Sequence, residues 1–168
     1  MHLFPYREEG NPPILRPTVD VRLRNDSNGD WTTAALIDTG APTTFFDFGM
    51  AQALNLRLGQ TGAETGSILV LGGHWRVQYE TIELSIPGVP EFCWEARVAF
   101  VCDPELQMSF QGVLGSRGFL ERLAVTFNEY ENYFVIESAD GYHERVGRHL
   151  IDDPTRRSDE SWRTGNGR

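Results

Sequence analysis

A single acidic residue at the end of an apolar strand constrains this chain more than any other feature of its sequence. The segment Trp31–Asp38 becomes increasingly apolar toward its end and stops at Asp38, and a Thr-Gly-Ala turn follows at once. An unpaired carboxylate buried at such a strand end costs several kcal/mol. We therefore expect Asp38 to lie near the interior and to have either a partner charge or a shared proton there.

Strand patterns dominate the sequence around this segment. Polar and apolar residues alternate in several stretches, and clusters of Gly, Asn and Asp separate these stretches. A hairpin is predicted where Arg24–Asp30 connects the first two of them, and another where Gly72 and Gly73 form a bend. The predicted strands lie in Thr18–Leu23, Trp31–Asp38, Glu64–Ile86, Glu91–Val101, Leu123–Asn128 and Asn132–Glu137. The pattern predicts an all-β domain with short helices.

Two segments carry the helical signals. Phe46–Leu56 has apolar residues at helical spacing, and Asp47 is placed to cap its start. Phe110–Leu123 predicts a short buried strand, a glycine turn and one or two helical turns.

The 168 residues suit one domain with one substantial core. We divide the chain into an N-terminal extension at 1–13, a folded domain at 14–138 and a mobile polar tail at 139–168. The tail is assigned from its content of Gly, Arg and Asp and from the absence of any sustained hydrophobic period.

Composition excludes several classes of partner. The net charge of −9 argues against nucleic acid, because phosphate binding needs clustered Arg or Lys. No apolar run approaches the roughly 18 residues that span a membrane, and the first residues do not form a secretory signal. Cys93 and Cys102 are too few for a disulfide framework, so we expect free thiols and a cytoplasmic location. The four histidines lack metal-ligand spacing, and we expect neither a metal nor a cofactor.

A lone Asp-Thr-Gly is most often an ordinary turn, but here two further elements accompany it. The segment Leu36–Ala41 reads LIDTGA, Ile68–Tyr79 reads as a glycine-tipped hairpin, and Gly112–Leu120 reads GVLGSRGFL. In this order, over roughly Thr18 to Glu137, the three elements resemble the retropepsin-like aspartic peptidases, in particular the bacterial and cellular single-domain type. The resemblance implies a retropepsin-like β-barrel, two copies of which form one active site for cleaving peptide bonds.

The resemblance also implies roles for individual residues. Asp38 from each of two copies would share a proton and activate one water molecule, since the chain has no second such motif. Thr39 would hydrogen-bond across the pair, and Gly40 would bring its backbone N–H close to the carboxylate. The substrate-binding residues would be Ala41 beside the cleft and, in the hairpin that forms the flap, Leu71, Gly72, Gly73, His74 and Trp75.

Two positions depart from the retroviral pattern, which has an Asp after the Asp-Thr-Gly-Ala motif and an Arg immediately after the later glycine. Here those places hold Pro42 and Ser116, and Arg117 comes one residue late. We therefore expect the support of the dimer and the subsites near Pro42 to differ from those of the viral enzymes.

Three alternatives remain open from the sequence. The same fold can serve as a catalytically weak or inactive dimeric module that binds an extended peptide by strand addition. The chain can also be a monomer that assembles only on substrate or at high concentration. The N-terminal segment Met1–Pro13 can either add a strand to a dimer interface or stay loose.

Overall fold

The computed structural model of this protein describes residues 1–26, 29–70, 72–106, 108–138 and 140–145. Strands make up most of this part of the chain. Within it, no helix has the length and apolar character needed to cross a membrane.

The strands, in chain order, are β1 (His2–Pro5), β2 (Arg7–Glu9), β3 (Ile14–Arg16), β4 (Thr18–Arg24), β5 (Asp30–Ile37), β6 (Phe45–Phe46), β7 (Thr65–Val70), β8 (Gly73–Ile86), β9 (Val89–Val101), β10 (Gly112–Leu114), β11 (Leu123–Asn128) and β12 (Tyr133–Ser138). The helix α1 spans Phe48–Ala53, and residues 140–145 are also helical. The predicted hairpin of β4 and β5 and the predicted strand pair around Gly72 and Gly73 are confirmed.

Six strands close into a barrel in the order β4, β5, β10, β6, β9 and β8, and β8 pairs again with β4. Two of the pairings, β5 with β10 and β6 with β9, are parallel, whereas the others are antiparallel. The parallel pair places Leu114 beside Ile37, so both strands end at the same edge of the barrel. Two chain segments therefore leave the barrel side by side, directly after Ile37 and Leu114.

The strand β7 extends beyond the barrel, because within the described residues it pairs only with the first half of β8. Its register joins Thr65 to Gln78 and Val70 to Gly73. The resulting β7–β8 hairpin is thus attached to the barrel through one continuous strand.

Apolar residues form two clusters. The main core includes Phe46, Phe100, Phe119 and Phe134, none of which is exposed. A smaller set, here called the hairpin cluster, lies between the β7–β8 hairpin and the barrel wall. Its buried members are Ala41, Phe45, Ile68, Val77, Ala99, Val101, Leu106 and Val113.

The N-terminal segment is tied to its own chain. β1 pairs with β12, which also pairs with β11, and these three strands form a separate sheet. Phe4 of β1 stacks on Phe134 with 5.4 Å between ring centroids. Arg7 binds Asp20 of β4 through two hydrogen bonds of 2.6 and 3.1 Å. Met1–Pro13 therefore contributes strands within the single chain.

The chain continues past β12 into residues 140–145. Arg145 lies in this helical segment, and its Nε donates to Glu137 at 3.1 Å. Glu137 is only 4% exposed, and the hydrogen bond from Arg145 lowers its pKa. The remaining residues of the predicted tail, 139 and 146–168, lie outside the described residues.

One or two helical turns are predicted after Gly115, and the structure contains one, in which the Leu123 N–H donates to the Phe119 carbonyl at 3.2 Å. Residues 118–122 are turns rather than a continuous helix. Gly118 has a φ of +88°, a left-handed conformation that a right-handed helix does not contain. The carboxylate of Glu121 accepts a hydrogen bond from the Gly118 N–H at 2.8 Å and stabilises this arrangement.

The predicted cap of the first helix is confirmed. Asp47 is the residue before α1, and its Oδ1 accepts a hydrogen bond from the Met50 N–H at 2.8 Å. Burial raises the pKa of Asp47, and hydrogen bonds from the Met50 and Gly49 backbones partly oppose this effect. The Asp47 carboxylate therefore caps the helix at a position where burial disfavours its charged form.

This balance predicts different effects for two substitutions of Asp47. Asp47→Asn keeps an oxygen acceptor and removes the charge, so we expect a free energy of unfolding equal to or above that of the wild type at neutral pH. Asp47→Ala removes the acceptor and should cost about 1 kcal/mol. Urea unfolding of the three proteins measures both effects.

The pH dependence of the same comparison has a definite sign. Because the folded-state pKa of Asp47 is raised, the folded protein binds a proton more tightly than the unfolded chain. The stability of the wild type relative to Asp47→Asn should therefore fall as the pH rises through that pKa. A wild-type advantage that grows toward neutral pH would contradict this account.

Candidate active site

Asp38 begins the loop that leaves the barrel after β5. Its backbone N–H donates to the Leu114 carbonyl at 3.1 Å, which continues the pairing of β5 with β10 by one residue. Its Oδ1 accepts the Gly40 N–H at 2.8 Å, and its own carbonyl accepts the Ala41 N–H at 3.2 Å. The carboxylate is therefore oriented by the turn that immediately follows it.

The second segment that leaves this barrel edge supports the loop 38–44. Backbone groups make most of the contacts, and one threonine hydroxyl adds to them. The hydrogen bonds are Ser116 N–H to the Ala41 carbonyl (2.9 Å), Arg117 N–H to the Pro42 carbonyl (3.2 Å), Thr44 N–H to the Arg117 carbonyl (2.8 Å) and Gly115 N–H to Thr44 Oγ1 (3.1 Å). The two segments behave as one unit because each satisfies the polar backbone of the other.

Gly115 lies where these segments come closest. A Cβ atom at this position would lie 2.5 Å from the Thr43 carbonyl oxygen and 2.7 Å from that of Ala41. Both neighbours are backbone atoms, so no side-chain movement relieves the clash. The close approach of the loop therefore requires glycine at position 115.

Asp38 opens onto a cavity of about 520 Å³ between the loop and the β7–β8 hairpin. Asp38 is the only ionisable group among the described residues that line it. The others are mostly apolar: Leu36, Gly40, Ala41, Pro42, Thr43, Phe45, Ile68, Leu69, Val70, Phe110 and Val113. The site thus presents one carboxylate in an apolar cleft beneath a β-hairpin.

The single chain does not bury Asp38 as deeply as the sequence led us to expect. Its carboxylate is half-buried, Thr39 and Gly40 beside it are exposed, and within the described residues no cation forms an ion pair with it. The reason is geometric, because the loop leaves the barrel at this point and lies on the surface. Also within the described residues, no three His, Cys, Asp or Glu side chains group together as metal ligands.

The structure brings together only some of the residues predicted from the sequence. Asp38, Gly40 and Ala41 line the cavity. Gly72 forms the hairpin turn with a φ of +78°, and Leu71 lies outside the described residues.

Two predicted substrate-binding residues line another part of the surface. His74 and Trp75 border a separate cavity of about 600 Å³, together with Cys102 and Asp103. The Trp75 indole N–H donates to the Val70 carbonyl at 3.1 Å, so this side chain fastens the two strands of the hairpin.

Several cavity residues were not predicted from the sequence. Leu36 could have been found, because side chains two residues apart in a strand share a face and Leu36 stands two residues before Asp38. Ile68 and Val70 follow the same alternation in β7. Phe110 and Val113 had no comparable signal, since only the folded barrel brings them next to the loop.

The fold is retropepsin-like. Among solved structures, the chain is similar to a retropepsin-like aspartic protease from Rickettsia conorii, with a TM-score of 0.54 and 16% identity over 82% of this chain and 99% of that one. It also matches EIAV protease complexed with the inhibitor HBY-793, with a TM-score of 0.43 and 22% identity over 60% of this chain and 82% of that one. No family model matches the sequence, and no curated protein matches it significantly. At 16% identity, the similarity to the Rickettsia conorii structure shows a shared fold only.

The contact at Gly115 predicts a selective cost for adding one methyl group. We expect Gly115→Ala to lower the free energy of unfolding by about 3 kcal/mol, because the loop backbone must move away from the new Cβ atom. The matched control is Gly49→Ala in α1, where the new Cβ atom would be 3.4 Å from Asp47 Oδ1, an ordinary contact. Gly49→Ala should be neutral or stabilising by up to about 1 kcal/mol. Equal losses in thermal unfolding would contradict the assigned role of Gly115.

Proposed function

We propose that this protein is an aspartic endopeptidase whose active site contains Asp38 from each of two copies. The observation that carries the proposal is the half-buried Asp38 carboxylate, oriented by its own turn, facing an apolar cavity under a β-hairpin. The retropepsin-like fold supports it, because the similar Rickettsia conorii protein is described as an aspartic protease.

The chemistry requires a second acid. Hydrolysis without a covalent intermediate needs one group to take a proton from water and another to donate a proton to the peptide carbonyl oxygen. Two carboxylates a few Å apart can do both, since they cannot both ionise and therefore share one proton. The chain offers one Asp-Thr-Gly. A second copy, related by a twofold axis, supplies the missing carboxylate with the same surroundings.

The exposed surface around Asp38 is consistent with such an arrangement. Thr39 is exposed directly beside the carboxylate, where it can contact the same loop of another copy. Gly40 holds one carboxylate oxygen through its N–H, and among the described residues none donates a hydrogen bond to the other, which would take up water or the shared proton. In this proposal, pairing of two copies buries groups that the single chain leaves on its surface.

The cavity and the hairpin would hold the substrate. An apolar cleft lined by Leu36, Phe45 and Val113 favours an apolar side chain of an extended peptide. The turn at Gly72 and Gly73 would let the hairpin close over the peptide and exclude water. His74 and Trp75, which line the separate cavity, would act on the substrate through the position of the hairpin.

The central test replaces one oxygen of the carboxylate. We expect Asp38→Asn to lower kcat/KM by at least about 10³-fold, because an amide neither shares nor accepts the proton, while the unfolding transition stays unchanged. The measurement is digestion of a peptide library by both proteins across pH, with the oligomeric state determined in the same buffers. Asp47→Asn is the matched control and should cleave like the wild type.

The same experiment separates the peptidase from a peptide-binding module. Cleavage by Asp38→Asn at the wild-type rate would show that Asp38 is not the catalytic acid. Peptide capture without cleavage by the wild type at every pH would instead favour binding by strand addition.

A site shared by two copies also predicts a dependence on protein concentration. Below the dissociation constant of the dimer, doubling the protein concentration should raise the total rate about fourfold, because two chains must meet to form each site. Initial rates over a dilution series, compared with the mass measured by light scattering, check this. A rate strictly proportional to concentration, with monomer as the measured species, would contradict the shared site.

A further inference from the structure

The base of the β7–β8 hairpin is held by side chains from three neighbouring segments. Arg97 of β9 places its guanidinium 3.7 Å from the centroid of the Tyr79 ring in β8. The Arg97 Nε also donates to Glu64 Oε2 at 3.0 Å, and a second guanidinium nitrogen binds the other Glu64 oxygen. Glu64 is the residue immediately before β7. One guanidinium therefore links β9, β8 and the start of β7.

Backbone contacts reinforce this link. The Tyr79 N–H donates to the Glu64 carbonyl at 2.9 Å, which adds a hydrogen bond just before the paired part of β7. A Cβ atom at Gly66 would lie 2.9 Å from Tyr79 Cε2, so the bare backbone of β7 rests directly against the ring. We call Glu64, Tyr79 and Arg97 the hairpin clamp.

The sheet register explains why these side chains meet. Tyr79 pairs with Ala99, and Thr81 pairs with Arg97, so Tyr79 and Arg97 are diagonal neighbours on one face of the sheet. Diagonal neighbours of this length are within reach of each other across antiparallel strands. Two of the three clamp residues, Tyr79 and Arg97, thus belong to the barrel wall, and Glu64 connects them to the start of β7.

The position of the clamp relates it to the candidate active site. Ile68 and Val70, two and four residues beyond Gly66, line the cavity of Asp38. Tyr79 packs against the hairpin cluster, whose members include Ala41 and Phe45 from the loop side of the cavity. Because Ile68 and Val70 follow Gly66 in the same strand, a movement of β7 at Gly66 would shift the hairpin side of the cavity.

We propose that Glu64, Tyr79 and Arg97 are positioning residues that hold the β7–β8 hairpin over the Asp38 cavity and thereby govern peptide capture. The role in capture rests on the proposed peptidase function, whereas the hold on the hairpin does not. The clamp acts where β7 has no second strand to pair with among the described residues, so its loss is not compensated by a sheet neighbour.

The test combines a kinetic measurement with one that needs no activity. Hydrogen exchange reports the opening of β7 through the amides of residues 65–70. We expect Arg97→Gln to speed their exchange by about tenfold, the size expected when an exposed bidentate ion pair and a guanidinium–ring contact are lost together. On a peptide substrate, KM should rise by a similar factor, and kcat should change by less than about twofold.

The chain contains a matched control. Arg22 and Asp30 form a similar two-bonded, exposed ion pair between β4 and β5, away from the hairpin. Arg22→Gln should leave both the exchange of residues 65–70 and KM at wild-type values. Tyr79→Phe keeps the ring and should behave as the wild type, whereas Tyr79→Leu should resemble Arg97→Gln. The double variant Glu64→Arg with Arg97→Glu reverses the ion pair but places a carboxylate beside the negative face of the Tyr79 ring, so it should recover only part of the loss.

Each result decides the proposal. Wild-type exchange and KM in Arg97→Gln would overturn it, as would equal effects of Arg97→Gln and Arg22→Gln. Faster exchange with an unchanged KM would overturn the role in capture. If the wild type cleaves no peptide, the peptidase function fails and KM no longer reports on capture, while exchange in Arg97→Gln and Arg22→Gln still decides whether the clamp holds the hairpin.

Discussion

The contact between two backbone segments at Gly115 is the constraint on which the site depends. Parallel pairing of β5 with β10 makes Asp38 and Gly115 leave the barrel side by side, and main-chain hydrogen bonds then fasten loop 38–44 to the segment after Leu114. Since a Cβ atom at Gly115 would overlap the loop backbone, the position of Asp38 is set by a contact that admits no side chain. The carboxylate therefore lies on a loop that main-chain hydrogen bonds attach to the neighbouring segment.

The main-chain hydrogen bonds of loop 38–44 show how this loop is held although Pro42 and Ser116 stand at the two charged positions of the retroviral pattern. The backbones of Pro42, Ser116 and Arg117 supply hydrogen bonds between the loop and its support. Because these bonds are made by main-chain groups, they do not depend on an acidic or basic side chain at these positions. The loop is thus held within one chain without the charged pair of that pattern.

The two sides of the Asp38 cavity differ in the number of contacts that hold them. The barrel side is held by a closed ring of six strands around a core of aromatic and aliphatic side chains. The hairpin side is attached through β8, the hairpin cluster and the contacts of Tyr79 and Arg97. Elements with few partners open more readily than core strands. This difference would suit the proposed peptidase site, which has to admit an extended chain and then enclose it.

The sequence by itself determined most barrel strands, the hairpins and the cap at Asp47, because these depend on alternation, turn residues and short-range hydrogen bonds. It did not indicate β1, β2, β3 or β6. At residues 118–122 it predicted one or two helical turns, and the structure has a single turn after the left-handed Gly118, whose N–H binds Glu121. It also missed Phe110, Val113 and the contacts of Arg97. Only the tertiary structure decided which side chains share the Asp38 cavity, because barrel closure sets distances between residues that are far apart in the chain.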